Sequence, residues 1–167
     1  YLFPVVERER FLKNFKGSYG QKSTKPKIIV KGLNLLEACL DNEGNIIPGK
    51  STLIISDIDI EKLKFLMAII NSKLAFFTLR ERYPASSYNL GITFTKEMIN
   101  NFPLPKIKND QKQHIIVLVD QILSAKKQNP QADTSQLEKQ IDQLVYKLYD
   151  LTEEETEIIE GGEKNGN

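Results

Sequence analysis

At 167 residues and 19.1 kDa the chain is long enough to bury a core of its own, and it carries no apolar run near the roughly 18 residues a bilayer span needs, so it reads as globular and not membrane-embedded. A single cysteine, Cys39, excludes an internal disulfide, and with one histidine, His114, no Cys/His zinc set is available; a reducing cytoplasm is the expected setting. The net charge of +1 hides an asymmetry: residues 1–110 hold 17 basic and 11 acidic side chains, a net of +6, whereas residues 111–167 hold 6 and 11, a net of −5.

The chain opens at Tyr1 with neither an initiating Met nor a leader pattern, which reads as a fragment entered from a missing upstream domain. Residues 5–15 suggest a short helix, broken by Gly17 and Gly20. Lys27-Ile28-Ile29-Val30, following Pro26, is the first expected strand. Residues 37–40, the turn 41–45 and Ile46-Ile47 look like a hairpin, closed by Pro48-Gly49, and residues 51–56 form a further strand. Asp57 or Asp59 then caps a helix with apolar positions Ile60, Leu63, Leu66, Met67 and Ile70, the expected organiser of the core. Asn71-Ser72 interrupts it, and Ser72 caps a second helix carrying Leu74, Phe77 and Leu79, which ends at Tyr83-Pro84.

A polar loop, residues 85–89, leads to a short strand at Ile92-Thr93-Phe94, a helical turn capped by Thr95 and an extended Phe102-Pro103-Leu104-Pro105. Two amphipathic stripes follow, one with Ile115, Leu118, Val119, Ile122 and Leu123, the other with Leu137, Ile141, Leu144, Val145 and Leu148. Pro130 separates them, giving a helical hairpin, and Thr152 with Glu155 has the spacing of a capping box for a last short helix. The fold class expected is α+β: a small mixed or antiparallel sheet on central helices, then a C-terminal helical hairpin. The expected division is a recognition domain at 1–110, the hairpin at 111–151, and a short helix with a disordered tail at 152–167.

Signatures of catalysis are missing: there is no Gly-rich phosphate loop, nucleophile elbow or paired-His metal motif. The acidic run from Asp57 through Asp59 to Glu61, beside Lys62, reads as helix-start charge complementing the dipole, the alternative being carboxylates gathered around Mg²⁺ in a nuclease site. His114 reads as a surface residue, and Cys39 as a small apolar strand residue. No catalytic residue and no metal ligand is assigned. The positive signals concern binding. Residues 8–31 hold eight basic residues against the single acid Glu9, a candidate phosphate-facing surface or a solvated one. Tyr19 among these cations either stacks or anchors its loop. Arg80, Arg82, Tyr83, Ser86, Ser87, Tyr88 and Asn89 combine guanidinium groups with base-edge hydrogen bonders around one loop, or form a plain polar loop with Tyr88 tucked into the core.

The order of segments resembles a known family. Lys25-Pro26-Lys27-Ile28-Ile29-Val30, a hairpin, the helix running into Asn71-Ser72-Lys73-Leu74, and Phe102-Pro103-Leu104-Pro105 resemble the C-terminal specificity domain of TaqI-like adenine-specific DNA methyltransferases and related restriction-modification enzymes. The Pro-Leu-Pro segment before a Gln-rich helix start, Gln111 and Gln113, is similar to target-recognition domains of type I restriction specificity subunits. The resemblance spans about residues 19–151. It implies a noncatalytic domain that reads double-stranded DNA while an upstream methyltransferase domain of the same polypeptide, holding S-adenosylmethionine and an Asn-Pro-Pro-Tyr motif, flips an adenine. Asn100-Asn101-Phe102-Pro103 is not that motif. The chain itself is then expected to be no enzyme and to hold no cofactor.

The DNA-binding residues expected are Lys22, Lys25, Lys27 and Lys31 on phosphates and Arg80, Arg82, Tyr88 and Asn89 near the groove, both groups converging on one concave surface. The alternative is a protein-interaction module docking a partner subunit through the helical hairpin.

Overall fold

The computed structural model describes residues 7–49, 51–84, 87–88 and 91–161. The fold is α+β: a small antiparallel sheet on a central helix, closed by a C-terminal helical layer. Two short helices, α1 (Arg8–Asn14) and α2 (Ser18–Ser23), precede the sheet. It is built from β1 (Lys27–Lys31), β2 (Ala38–Asp41) and β3 (Thr52–Ser56), in the order β2-β1-β3. The central strand pairs Ile29 with Cys39 on one side and with Ile54 on the other. Ile28 and Val30, on one face of β1, have no solvent exposure and enter the main core.

The helix expected to organise that core does so. α3 (Ile60–Asn71) buries Leu63, Phe65, Met67, Ala68, Ile69 and Ile70, more of its circumference than a surface helix does, because the sheet, α4 and α6 all pack on it. Asp59 caps its start, accepting from the Lys62 amide at 3.0 Å. Ser72 then ends α3 and starts α4 (Lys73–Arg82): its hydroxyl donates to the Ile69 carbonyl at 2.7 Å and accepts from the Ala75 amide at 3.2 Å. Beyond α4 lie the two-residue strands β4 (Ser87–Tyr88) and β5 (Gly91–Ile92), then α5 (Lys96–Asn100), started by the Thr95 hydroxyl.

Three expectations are corrected. The hairpin between residues 37–40 and 46–47 does not form: β2 pairs with β1, and residues 42–49 are a loop. The Asp41 carboxylate accepts from the amides of Asn45 at 3.0 Å and Ile46 at 2.8 Å, capturing donors that a strand partner would have used. The first helix does end before Gly17, which precedes α2, but Gly20 breaks nothing: it lies inside α2. The boundary at residue 110 is not a break in the core. α6 (Asn109–Gln128) and α7 (Ser135–Leu148) bury Ile115, Ile116, Val119, Ile141 and Val145 in the same cluster as Leu63 and Ile69.

The last helix, α8 (Glu153–Gly161), begins with the expected capping box. The Thr152 amide donates to the Glu155 carboxylate at 2.8 Å, and the Glu155 amide to the Thr152 hydroxyl at 3.2 Å. The tail expected to be disordered lies, from residue 162 on, outside the described residues. A chain cut after Asp110 strips α3 of the helices that cover it. We expect that fragment to lose cooperative urea unfolding and more helical circular dichroism than its missing residues account for; a sharp, two-state transition would show residues 1–110 to be self-sufficient.

Candidate nucleic-acid interface

The basic run divides into structural and exposed charges. Lys27 has no solvent exposure. Its ammonium pairs with the Asp41 carboxylate and donates to the Ser23 carbonyl at 2.8 Å, tying α2, β1 and β2 together. It is therefore withdrawn as a phosphate contact. Position 27 shares a strand face with Ile29, itself 8% exposed, and that alternation places Lys27 beneath α2 and the 42–49 loop. Lys31, at the other end of β1, is exposed and pairs with Glu37 at 2.8 Å. Arg8 is also engaged, donating to the Thr24 carbonyl at 3.4 Å.

What remains is a different set. Arg10, Lys13, Lys16, Lys22 and Lys25 are all exposed and, among the described residues, none joins an ion pair. They lie on α1, α2 and the turns that follow each helix, so the exposed positive charge belongs more to the first helix than the sequence suggested. The segment is firmly seated. Tyr19 donates its hydroxyl to the Pro48 carbonyl, which decides for the anchoring role, although its ring is still 40% exposed. Gly44, at φ +70°, has no room for a side chain because a Cβ there would sit 2.4 Å from the Thr24 carbonyl oxygen.

Arg80 and Arg82 end α4, where positive charge also suits the helix dipole. The Arg80 guanidinium lies 5.5 Å from the Phe77 ring centroid and bonds the Glu81 carboxylate at 3.1 Å; that of Arg82 lies 6.0 Å from the Tyr83 centroid. Tyr88 is in β4, and Asn89 lies outside the described residues, as does Ser86. The β4–β5 pair is docked against the far end of β1: the Asn34 amide donates to the Ile92 carbonyl at 2.8 Å, the Phe94 amide to the Gly32 carbonyl at 2.9 Å, and Leu33 bridges Thr93. Lys31 thus stands on the side of β4–β5, whereas Lys22 and Lys25 stand at the opposite end of the strand. At about 3.3 Å per residue, β1 sets these two ends roughly 13 Å apart. The expected single cluster is instead two groups with a strand between them.

The acidic run is engaged locally. Asp57 accepts from the Asp59 amide at 3.1 Å and pairs with Lys62 at 2.5 Å, contacts that hold its carboxyl below the ordinary range. His114 is exposed on α6; Cys39, on β2, is exposed rather than packed as expected. Among the described residues no group of His, Cys, Asp and Glu side chains is arranged to hold a metal ion, and no helix is long and apolar enough to cross a membrane.

Compared with protein-family models the chain matches none, and no curated protein matches it.

The buried pair also fixes a pH response. Burial pushes the Asp41 carboxyl up, but hydrogen bonds from Lys27 and the Ile46 and Asn45 amides outweigh it and hold the group below its ordinary value. A carboxyl lowered by folding stabilises fully above its unfolded pKa, about 4, and loses that contribution as pH falls through the folded value. Asp41→Asn leaves the Lys27 ammonium buried without its counter-charge and is expected to cost about 3–5 kcal/mol near neutral pH. In urea titrations, the gap between native chain and variant should narrow as pH drops below about 4; a gap constant to lower pH would refute the assignment.

Proposed function

We propose that this chain is a noncatalytic domain for sequence-specific recognition of double-stranded DNA, serving an adenine-specific DNA methyltransferase or restriction-modification enzyme. On this reading S-adenosylmethionine and the base-flipping chemistry belong to a methyltransferase domain upstream in the same polypeptide. The observation that carries it is the α1–α2 surface, where Arg10, Lys13, Lys16, Lys22 and Lys25 are exposed without carboxylate partners among the described residues. Unneutralised cations set on short, anchored helices suit phosphates, whose binding releases counterions.

Arg80 and Arg82 end the helix that precedes the β4–β5 pair in the chain, and on this reading they and that pair would read the groove while α1–α2 grips the backbone. The docking alternative is less favoured because α6 and α7 bury their apolar stripes in the chain's own core.

Fluorescence anisotropy on a labelled duplex tests the reading. Binding should weaken steeply with salt, and replacing Arg10, Lys13, Lys16, Lys22 and Lys25 by Gln should flatten the log–log slope by about 0.9 for each phosphate that the variant no longer neutralises. Lys31→Gln should change it less, since that ammonium already has Glu37. A native slope near zero, or one the five substitutions leave unchanged, would overturn the proposal.

A further inference from the structure

Phe11 lies in α1 and Phe15 caps its end, its amide donating to the Phe11 carbonyl, yet their environments differ sharply: Phe11 is 5% exposed and Phe15 is 51% exposed. The Phe15 ring is not loose. It stacks on Phe11 with centroids 4.9 Å apart and planes 27° apart, and it meets the Tyr19 ring edge-on at 6.3 Å. Both supports are fixed, Phe11 by burial and Tyr19 by its hydroxyl on the Pro48 carbonyl. The backbone is held as well, because a Cβ at Gly20 would fall 1.8 Å from the Phe15 carbonyl oxygen, so α2 closes on that carbonyl in a way only glycine allows. The result is a flat apolar ring, supported from within and half open to solvent. Lys13 and Lys16 flank it in sequence, and Arg10, Lys22 and Lys25 add exposed charge on the two helices and the turn after α2.

We propose that Phe15 is a stacking platform for an unpaired nucleotide base, with Lys13 and Lys16 on the adjoining phosphates. This rests on the reading of α1–α2 as a nucleic-acid surface and deepens it. The charge selects a polyanion, and the flat ring selects a partner with a planar, apolar face. A fully paired duplex keeps its base faces stacked inside, whereas a looped-out or single-stranded base offers one. An anionic lipid surface shares the charge but needs a wide apolar helix face to enter the bilayer, and α1 is seven residues long with Phe11 turned into the protein. A DNA-reading domain that works beside base flipping would meet such a base wherever pairing is disrupted.

The test compares four probes by anisotropy or co-sedimentation: a paired duplex, the same duplex with one bulged thymidine, a short oligothymidylate, and phosphatidylserine vesicles. The native chain should bind the bulged duplex more tightly than the paired one. Phe15→Ala should remove about tenfold of affinity for the bulged duplex and the oligothymidylate while leaving the paired duplex and its salt slope unchanged. Phe15→Leu keeps the apolar bulk without the flat ring and should lose the same increment, which guards against misfolding in the alanine variant. The chain has no tryptophan, so Phe15→Trp reports from this position alone and should be quenched by oligothymidylate. If the paired duplex binds but the bulge adds nothing that depends on Phe15, the platform is wrong and the duplex-reading proposal stands. If the paired duplex does not bind while oligothymidylate binds through Phe15, the platform stands and the duplex reading falls. Phe15-dependent binding to vesicles with no such dependence for either nucleic acid with unpaired bases overturns the platform and assigns the patch to lipid.

Discussion

At the corner between α3 and α4, two residues reach other parts of the molecule and the one between them makes the turn. The Asn71 side-chain amide accepts from the Ala38 amide at 2.7 Å and donates to the Ala38 carbonyl at 2.9 Å, filling the outward-facing backbone groups at the start of the edge strand β2. Ser72 adopts an extended backbone that ends one helix and begins the next. The Lys73 amide donates to Asp142 of α7 at 3.0 Å, and its ammonium pairs with Glu160 of α8 at 2.7 Å. Burial pushes the Glu160 carboxyl up, but hydrogen bonds from Lys73 and Tyr146 hold it below its ordinary value. A continuous helix through residues 60–82 could not direct these groups to the sheet and to α7 and α8 together, so the contacts of α4 with α7 and α8 depend on a break at one serine.

The likeness to a DNA-specificity domain proposed from the sequence leans on that corner, and its side chains have architectural roles there. Asn71, Ser72 and Lys73 make fixed intramolecular contacts, and Leu74 is buried. A similarity located in such residues bears on how the chain folds. It does not select which surface meets a ligand, and for that the exposed and unpaired charges are the better guide.

Much of the scaffold was legible because it depends on local chemistry. A cap at Asp57 or Asp59, which proved to be Asp59, the cap at Ser72, the Thr152–Glu155 box and the stripes of α6 and α7 all follow from residue type at fixed spacing. What escaped was set by distant partners. Nothing near Asp41 in sequence announces that its carboxylate will meet Lys27 and fold the following loop around itself, and so both the false hairpin and the false phosphate contact trace to one buried ion pair. The visible sign was the strand pattern, with a lysine two positions before Ile29 on a face that proved to be covered. The hairpin's apolar stripes were read correctly, but periodicity shows only that a face is buried and not against what; hence the boundary at 110.

The shared core changes what the charge asymmetry means. Were the acidic C-terminal part a separate appendage, its charge would move independently of the basic helices, and screening over about 8 Å of physiological salt would leave it little influence on them. Here α6 is held to α3 by burial of Ile115 and Ile116, by Lys64–Asp120 at 2.5 Å and by Gln113 donating to Glu61 at 2.9 Å, and α8 is held to α4 through Glu160. The separation of charge is then a fixed property of one body. A polyanion approaching such a body is attracted at α1–α2 and repelled by the acidic helices, so orientation is biased before any contact forms. The buried Lys27–Asp41 pair contributes no net charge to that field, while it fixes the segment that carries the attraction.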